Sequence, residues 1–208
     1  GWSDAISAEG ANAIPCWWSA QGDYGRSLAW RRHTLERYRR AGWRWREYTA
    51  QANVCDTLLA SGDIAGAIEA GEQLLASLGT TRWLSVLPAV RLNLAAAYLQ
   101  QGDAAGARSL ADAGWQQAMD LGWTPYWCDH LALMAAMSGH PEAAAQLLGF
   151  SARCHRRIGA EREVKEARSA QRADAIVRTS LTPDQVEHGV RVGEGLQERD
   201  IATLLKAI

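Results

Sequence analysis

Four side chains in the second half of the chain have the chemistry to hold a metal ion: Cys128, His130, Cys154 and His155. Thiolates and imidazoles are the donors zinc prefers. Their spacing works against it, because residues two apart on a helix project about 200° from each other around the axis. Cys128 and His130 therefore do not converge on one ion from one helix face, and no metal site is expected. No Ser-His-Asp order, paired-carboxylate constellation or phosphate-binding loop stands out either. The expectation is a protein without catalytic residues or a cofactor, not an enzyme.

Two further sets of residues could carry recognition. The chain holds ten tryptophans in 208 residues, and aromatic rings supply large contact area at low entropic cost. Trp45, Tyr48, Tyr126 and Trp127 could line a groove for a peptide or a small apolar ligand, or pack between neighbouring elements. Trp43 and Trp83 stand 19 residues before a Gly-Asp pair in each case, and equivalent register favours equivalent packing. The second set is the basic run Arg26, Arg31, Arg32, His33, Arg37, Arg39, Arg40, Arg44 and Arg46. Spread around a helix in 100° steps it reads mainly as a solvated face, with an acidic partner as the alternative.

Composition sets outer bounds on these readings. Apolar residues make up 48% of the chain and charged residues 22%, the balance of a folded protein with a sizeable core. The formal charge of −1 offers no bulk attraction to nucleic acid or to an anionic membrane surface. No run of about 18 apolar residues occurs, so no membrane span is expected. Cys16, Cys55, Cys128 and Cys154 contain no C-x-x-C pair and fit reduced thiols in a cytoplasmic protein. A first residue of Gly rather than Met fits a piece of a longer protein.

The elements that must position these residues announce themselves by punctuation. Gly22-Asp23, Gly62-Asp63, Gly102-Asp103 and Gly139-His140 recur at intervals of 40, 40 and 37 residues. A second set, Gly42, Gly79, Gly122 and Gly159, falls where helical patterns end and a left-handed cap is needed. Together they predict eight helices over residues 1 to 159, paired into four hairpins, each with an A helix before the Gly-polar turn and a B helix after it. Asp23, Asp63 and Asp103 suit N-caps and Pro141 suits a first helical turn. Pro15 predicts a kink or a late start in the first helix. Hairpins of fixed period bury their apolar faces by stacking on the next hairpin.

From Glu161 the pattern changes. An amphipathic helix follows, with Val164, Ala167, Ala170 or Gln171, Ala175 and Ile176 as its apolar stripe. Thr182-Pro183 opens another helix that Gly193 and Gly195 are expected to close, and Arg199 to Ala207 forms the last one. The predicted organisation is an array over residues 1–160 and a capping tail over 161–208.

In the third hairpin, Leu94, Ala95 and Tyr98, then Gly102-Asp103, then Ala107 and Leu110, resemble the tetratricopeptide (TPR) repeat. Val54, Cys55, Leu58 and Ala67 keep the same frame in the second hairpin, and Leu131, Ala132, Ala135, Ala144 and Leu148 in the fourth. The first hairpin offers Ile14, Pro15, Trp18 and Ser27 at those places. Intervals near 40 rather than the TPR's 34 imply helices about one turn longer. The resemblance implies an all-α superhelix whose A helices line a concave groove. Transferred hairpin by hairpin, the groove positions are Asn12 and Cys16, Ala52 and Asp56, Leu92 and Ala96, and Asp129 and Leu133. These lack the Lys and Asn set with which some TPR proteins clamp carboxylate tails.

The string HPEAAAQLLGFSARCHRRIGA and the tail with Val186, Val190, Gly193, Leu196 and Ile201 are similar to the C-terminal region of bacterial regulators of the MalT, AfsR and LuxR-like type. That resemblance implies a non-catalytic sensor region: a peptide, protein or small-molecule effector in the groove, with upstream switch and DNA-binding domains as its partners in a longer chain. The alternative is a constitutive scaffold for protein assembly. Leu181-Thr182-Pro183, Gly195-Leu196, Arg199 and Ile201-Ala202 also resemble the first two helices of the LuxR-type helix-turn-helix. The sequence stops at Ile208, before a recognition helix, so no direct nucleic-acid contact is expected.

Overall fold

The computed structural model describes residues 13–79 and 86–208, and every regular element among them is helical. Helical residues 13–20 (α1) precede α2 (Tyr24–Arg40), α3 (Arg44–Ser61), α4 (Ile64–Leu78), α5 (Val86–Gln101) and α6 (Ala104–Asp120). The chain continues through α7 (Thr124–Met137), α8 (Pro141–Ile158), α9 (Val164–Ser180), α10 (Pro183–Gly195) and α11 (Glu198–Ala207). Two compact units result, Gly1–Ala97 and Tyr98–Ile208, and α5 runs across their boundary.

Gly102 illustrates what each turn requires. Its φ is +102°, a conformation in which any Cβ is strained. The bend lets the Asp103 N–H reach back to the Tyr98 carbonyl at 2.8 Å, which closes the end of α5 in a Schellman-type motif. The Asp103 side chain then accepts from the Gly106 N–H at 2.8 Å and caps α6. One residue thus ends one helix and opens the next. Asp23 and Asp63 repeat the device, bonding back to the Trp18 and Leu58 carbonyls and accepting from the Arg26 and Gly66 N–H groups. At the fourth turn His140 bonds back to the Ala135 carbonyl but gives no side-chain cap. Pro141, which has no N–H to satisfy, occupies the first helical turn instead. The positive-φ residues among those described are the eight glycines that the two interleaved sets predict.

In the first unit Val54, Cys55, Leu58 and Leu59 of α3 pack with Leu35 of α2 and Ala67 of α4. The Cys55 thiol donates to the Ala67 carbonyl at 3.3 Å, a contact that only small residues permit. Ser27 on α2 donates to the Pro15 carbonyl at 2.8 Å. Pro15 is accommodated within helical residues 13–20, and the late start expected there concerns residues outside those described, as does the packing of Trp83.

The second unit departs from simple hairpin stacking. Helix α7 is covered by α8 on one side and α9 on another, with α6 also against it, and twelve of its residues are buried. The tail expected beyond residue 160 is built into the same compact unit as α6 to α8. The stripe expected on α9 is out of phase with the one observed: Glu166, Ser169, Ala173 and Val177 are buried, whereas Val164 and Ala175 are exposed. Hydrophobicity misplaces it because two polar residues face inward, onto partners from α7.

Helices α8 and α10 meet backbone to backbone. A Cβ on Gly149 would lie 2.1 Å from the Val190 carbonyl oxygen, and one on Gly193 would lie 1.9 Å from that of Gln146. A Cβ on Gly189 would stand 2.7 Å from that of Ala145. Gly193 is therefore no helix terminator, as its spacing suggested, but the point of closest approach, and α10 continues to Gly195. Placing a methyl at Gly149 or Gly193 must push the helices apart. Gly149→Ala and Gly193→Ala are each expected to destabilise the second unit by about 3 kcal/mol. Gly195→Ala, which meets nothing within 4 Å, is expected to leave stability unchanged or slightly raised, and urea titration followed by circular dichroism separates the three.

Candidate functional site

The groove positions fall into two classes. Trp45 and Tyr126 are exposed, Tyr48 and Asp56 on α3 are half-buried, and Cys16 on α1 is exposed. Asn12 lies outside the described residues. Ala52, Leu92, Ala96, Trp127, Asp129 and Leu133 are buried, which corrects their assignment to an open lining. Ala52 sits in a cluster with Leu74, Leu78, Val86 and Val90, against which Tyr48 packs. Ala96 belongs to the core around Cys55 and Leu59. Trp127, Asp129 and Leu133 are interior because α7 is enclosed, where the repeat frame assumed a face open to solvent.

Asp129 is the centre of what the sequence reading missed. Its side chain is fully buried and receives three groups. The Ser151 hydroxyl donates to Oδ1 at 2.7 Å, the Arg162 guanidinium donates Nε–H to Oδ2 at 2.7 Å, and His155 Nε2 lies 3.5 Å from Oδ2. Arg162 also donates from Nη2 to Ser151 Oγ at 3.3 Å. α7 thus provides the carboxylate, α8 the hydroxyl and imidazole, and the α8–α9 connection the guanidinium. Burial pushes the carboxyl upward, but hydrogen bonds from His155, Arg162 and Ser151, with the Arg162 charge, outweigh it and hold Asp129 below its ordinary value. A carboxylate standing between serine and histidine cannot work as a Ser-His-Asp relay, in which the imidazole must take the hydroxyl proton. The arrangement neutralises a buried charge and fastens three segments together.

A second polar contact lies beside it. His130 Nδ1 shares a 2.9 Å hydrogen bond with Ser169 Oγ of α9, while its Nε2 stands 4.0 Å from Glu166 Oε1. The Gln100 amide donates to the same Ser169 hydroxyl at 3.4 Å, and Lys165 Nζ lies 3.9 Å from Glu166. Burial, then the charge of Lys165, lowers the His130 pKa to about 4, against an opposing effect of Asp129. The i, i+3 pair Glu166 and Ser169 opposite His130 was the available sequence signal, but each of the three reads as an ordinary surface residue until the other two are placed.

The cysteines of the metal hypothesis are held as thiols. Cys128 donates to the Thr124 carbonyl at 3.0 Å, and burial, followed by nearby negative charge, raises its pKa well above the usual thiol range. Burial also raises that of Cys154, despite Arg153 and Arg157 nearby. Among the described residues, no group of three or more His, Cys, Asp or Glu is placed to hold a metal ion.

An open recess of 590 Å³ lies on the second unit between α8 and α11, lined by Phe150, Arg153, Cys154, Arg157, Gln197, Glu198 and Arg199. Arg153 braces it, with its guanidinium over the Phe150 ring at 5.0 Å and a hydrogen bond to the Leu196 carbonyl. The exposed ion pair Arg156–Glu194, at 2.7 Å, stands nearby on α8 and α10. No described helix is long and apolar enough to cross a membrane. Compared with protein-family models, curated proteins and solved structures, the chain matches none.

Removing one partner of the buried cluster leaves the other charge without compensation. Asp129→Ala is expected to cost about 3 kcal/mol in urea unfolding, and Ser151→Ala about 1 kcal/mol. The pH dependence follows from His130. Its folded pKa of about 4 lies below the ordinary 6.5, so between those values the unfolded chain binds more protons and stability rises with pH. The contribution is complete above about pH 6.5 and is lost as pH falls towards 4, a change of about 3 kcal/mol over that window. Asp129, also held low, adds to the loss below its ordinary 3.8. Urea titrations from pH 7 to 4 are expected to show this decline, and His130→Gln is expected to flatten it.

Proposed function

We propose that this chain is the ligand- or partner-binding region of a bacterial signal-responsive transcriptional regulator, a superhelix of TPR-like hairpins that senses rather than catalyses. The observation that carries the reading is the repeated turn: a positive-φ glycine followed by a residue that closes one helix and begins the next, at intervals of 40, 40 and 37 residues. Hairpins built on one frame stack and leave surfaces suited to binding rather than to bond-making. On α3 the exposed Trp45, with the half-buried Tyr48 beside it, offers rings to a peptide or small apolar effector, and the recess between α8 and α11 offers a polar alternative.

In this reading, occupancy acts by population shift. An effector that binds one arrangement of the hairpins better than another biases the region by its differential affinity, and upstream switch and DNA-binding domains of a longer chain receive the change. Thermal shift and tryptophan fluorescence against a panel of metabolites and peptides test this. A binding compound is expected to raise the unfolding temperature, and Trp45→Ala with Tyr48→Ala is expected to weaken binding at least tenfold, the loss of about 1.4 kcal/mol of ring contact. A folded chain that responds to no compound counts against the sensor reading.

A further inference from the structure

The basic run resolves into a defined surface on α2. Arg26, Trp30, His33, Arg37 and Arg40 are all exposed and follow one another by 4, 3, 4 and 3 residues, so they occupy one side of the helix over ~21 Å. Trp30 is 41% exposed, and its ring lies edge-on to His33 with ring centroids 6.2 Å apart. Between residues 24 and 47 eight arginines face only two glutamates, in a chain whose formal charge is −1. Among the described residues, neither Arg32 nor Arg37 is paired with a carboxylate. Of the carboxylate-paired arginines in this stretch, Arg26, Arg40 and Arg44 keep most of their side-chain surface in water: Arg40, bonded to Glu36 at 3.2 Å, is 79% exposed.

The complement is on the same unit. On α4 the exposed residues Ala65, Glu69, Glu72 and Ala76 follow one another by 4, 3 and 4 residues, a stripe of ~16 Å with two carboxylates at its centre and small side chains at both ends. Helices α2 and α4 each pack against α3. We propose that two copies of this chain pair through these faces, α2 of each lying on α4 of the other about a twofold axis. Because each copy carries both stripes, the axis satisfies both at once, as a self-complementary dimer requires. Guanidinium groups of Arg37 and Arg40 meet the carboxylates of Glu69 and Glu72, and the small ends of the α4 stripe let the Trp30 ring approach and leave water. A near-neutral chain with segregated charge favours this self-association over repulsion.

Sedimentation velocity on the whole chain at low salt, over a wide concentration range, tests the pairing. The expected result is a concentration-dependent dimer that weakens as salt is raised. Arg37→Glu with Arg40→Glu makes both stripes acidic, and Glu69→Arg with Glu72→Arg makes both basic. Each double variant is expected to associate at least tenfold more weakly while remaining folded and helical by circular dichroism, because all four positions are exposed and lose at most surface charge contacts such as Arg40–Glu36. An equimolar mixture of the two variants restores both contacts and is expected to re-form the dimer. A wild-type chain that stays monomeric, a variant that still dimerises, or a mixture that does not re-form the dimer would overturn the proposal.

Discussion

A tight turn from one helix straight into the next is made most easily through a left-handed residue, a conformation glycine adopts without strain, and that constraint organises the paired helices of this molecule. At the turns after α1, α3, α5 and α7 a glycine takes the positive φ and the residue behind it bonds back across the turn. At three of them that residue is an aspartate whose carboxylate immediately caps the following helix. No slack is left between the two helices. Their apolar faces are brought together within a few residues, and the small side chains Ala67, Ala107 and Ala144, all buried, are what the resulting proximity admits.

In the second unit a different constraint takes over. Glycines on α8 and α10 remove the side chains that would keep two backbones apart, and dispersion contacts accumulate along the seam. The same unit carries its charges inside. Asp129 is stable there because a guanidinium, a hydroxyl and an imidazole meet it from other segments: α8 holds the hydroxyl and the imidazole, and the α8–α9 connection brings the guanidinium. Geometry and electrostatics depend on each other: the packing of α8 and α9 against α7 delivers the partners, and the partners make the packing tolerable around a buried carboxylate.

Much of the fold was legible in particular residues. The glycine pairs, Asp23, Asp63 and Asp103, and Thr182 with Pro183 mark helix ends by local chemistry, and the structure places caps at those residues, including a reciprocal capping box between Thr182 and Gln185. The candidate site was less legible. The repeat register puts Asp129 on a groove and the abundance of rings makes Trp127 a candidate lining, yet α9 covers α7, and no local pattern announces that a distant helix will fill a face. The stripe of α9 was missed for the same reason, since Glu166 and Ser169 are inward-facing only because His130 is opposite them.

The amino-acid sequence alone determined most helix ends, though not the role of Gly193, because a positive φ, a carboxylate cap or a proline at a first turn acts within a few residues of chain. It also determined the hairpin frame, because the period is a count along the backbone. Tertiary structure alone decided which faces are interior. Whether a carboxylate such as Asp129 or a glycine such as Gly193 belongs in the core depends on what stands across from it, and those partners lie 22 residues away for Ser151 and 33 for Arg162. Burial of a polar group is a property of a pair in space, and one member of the pair does not encode it.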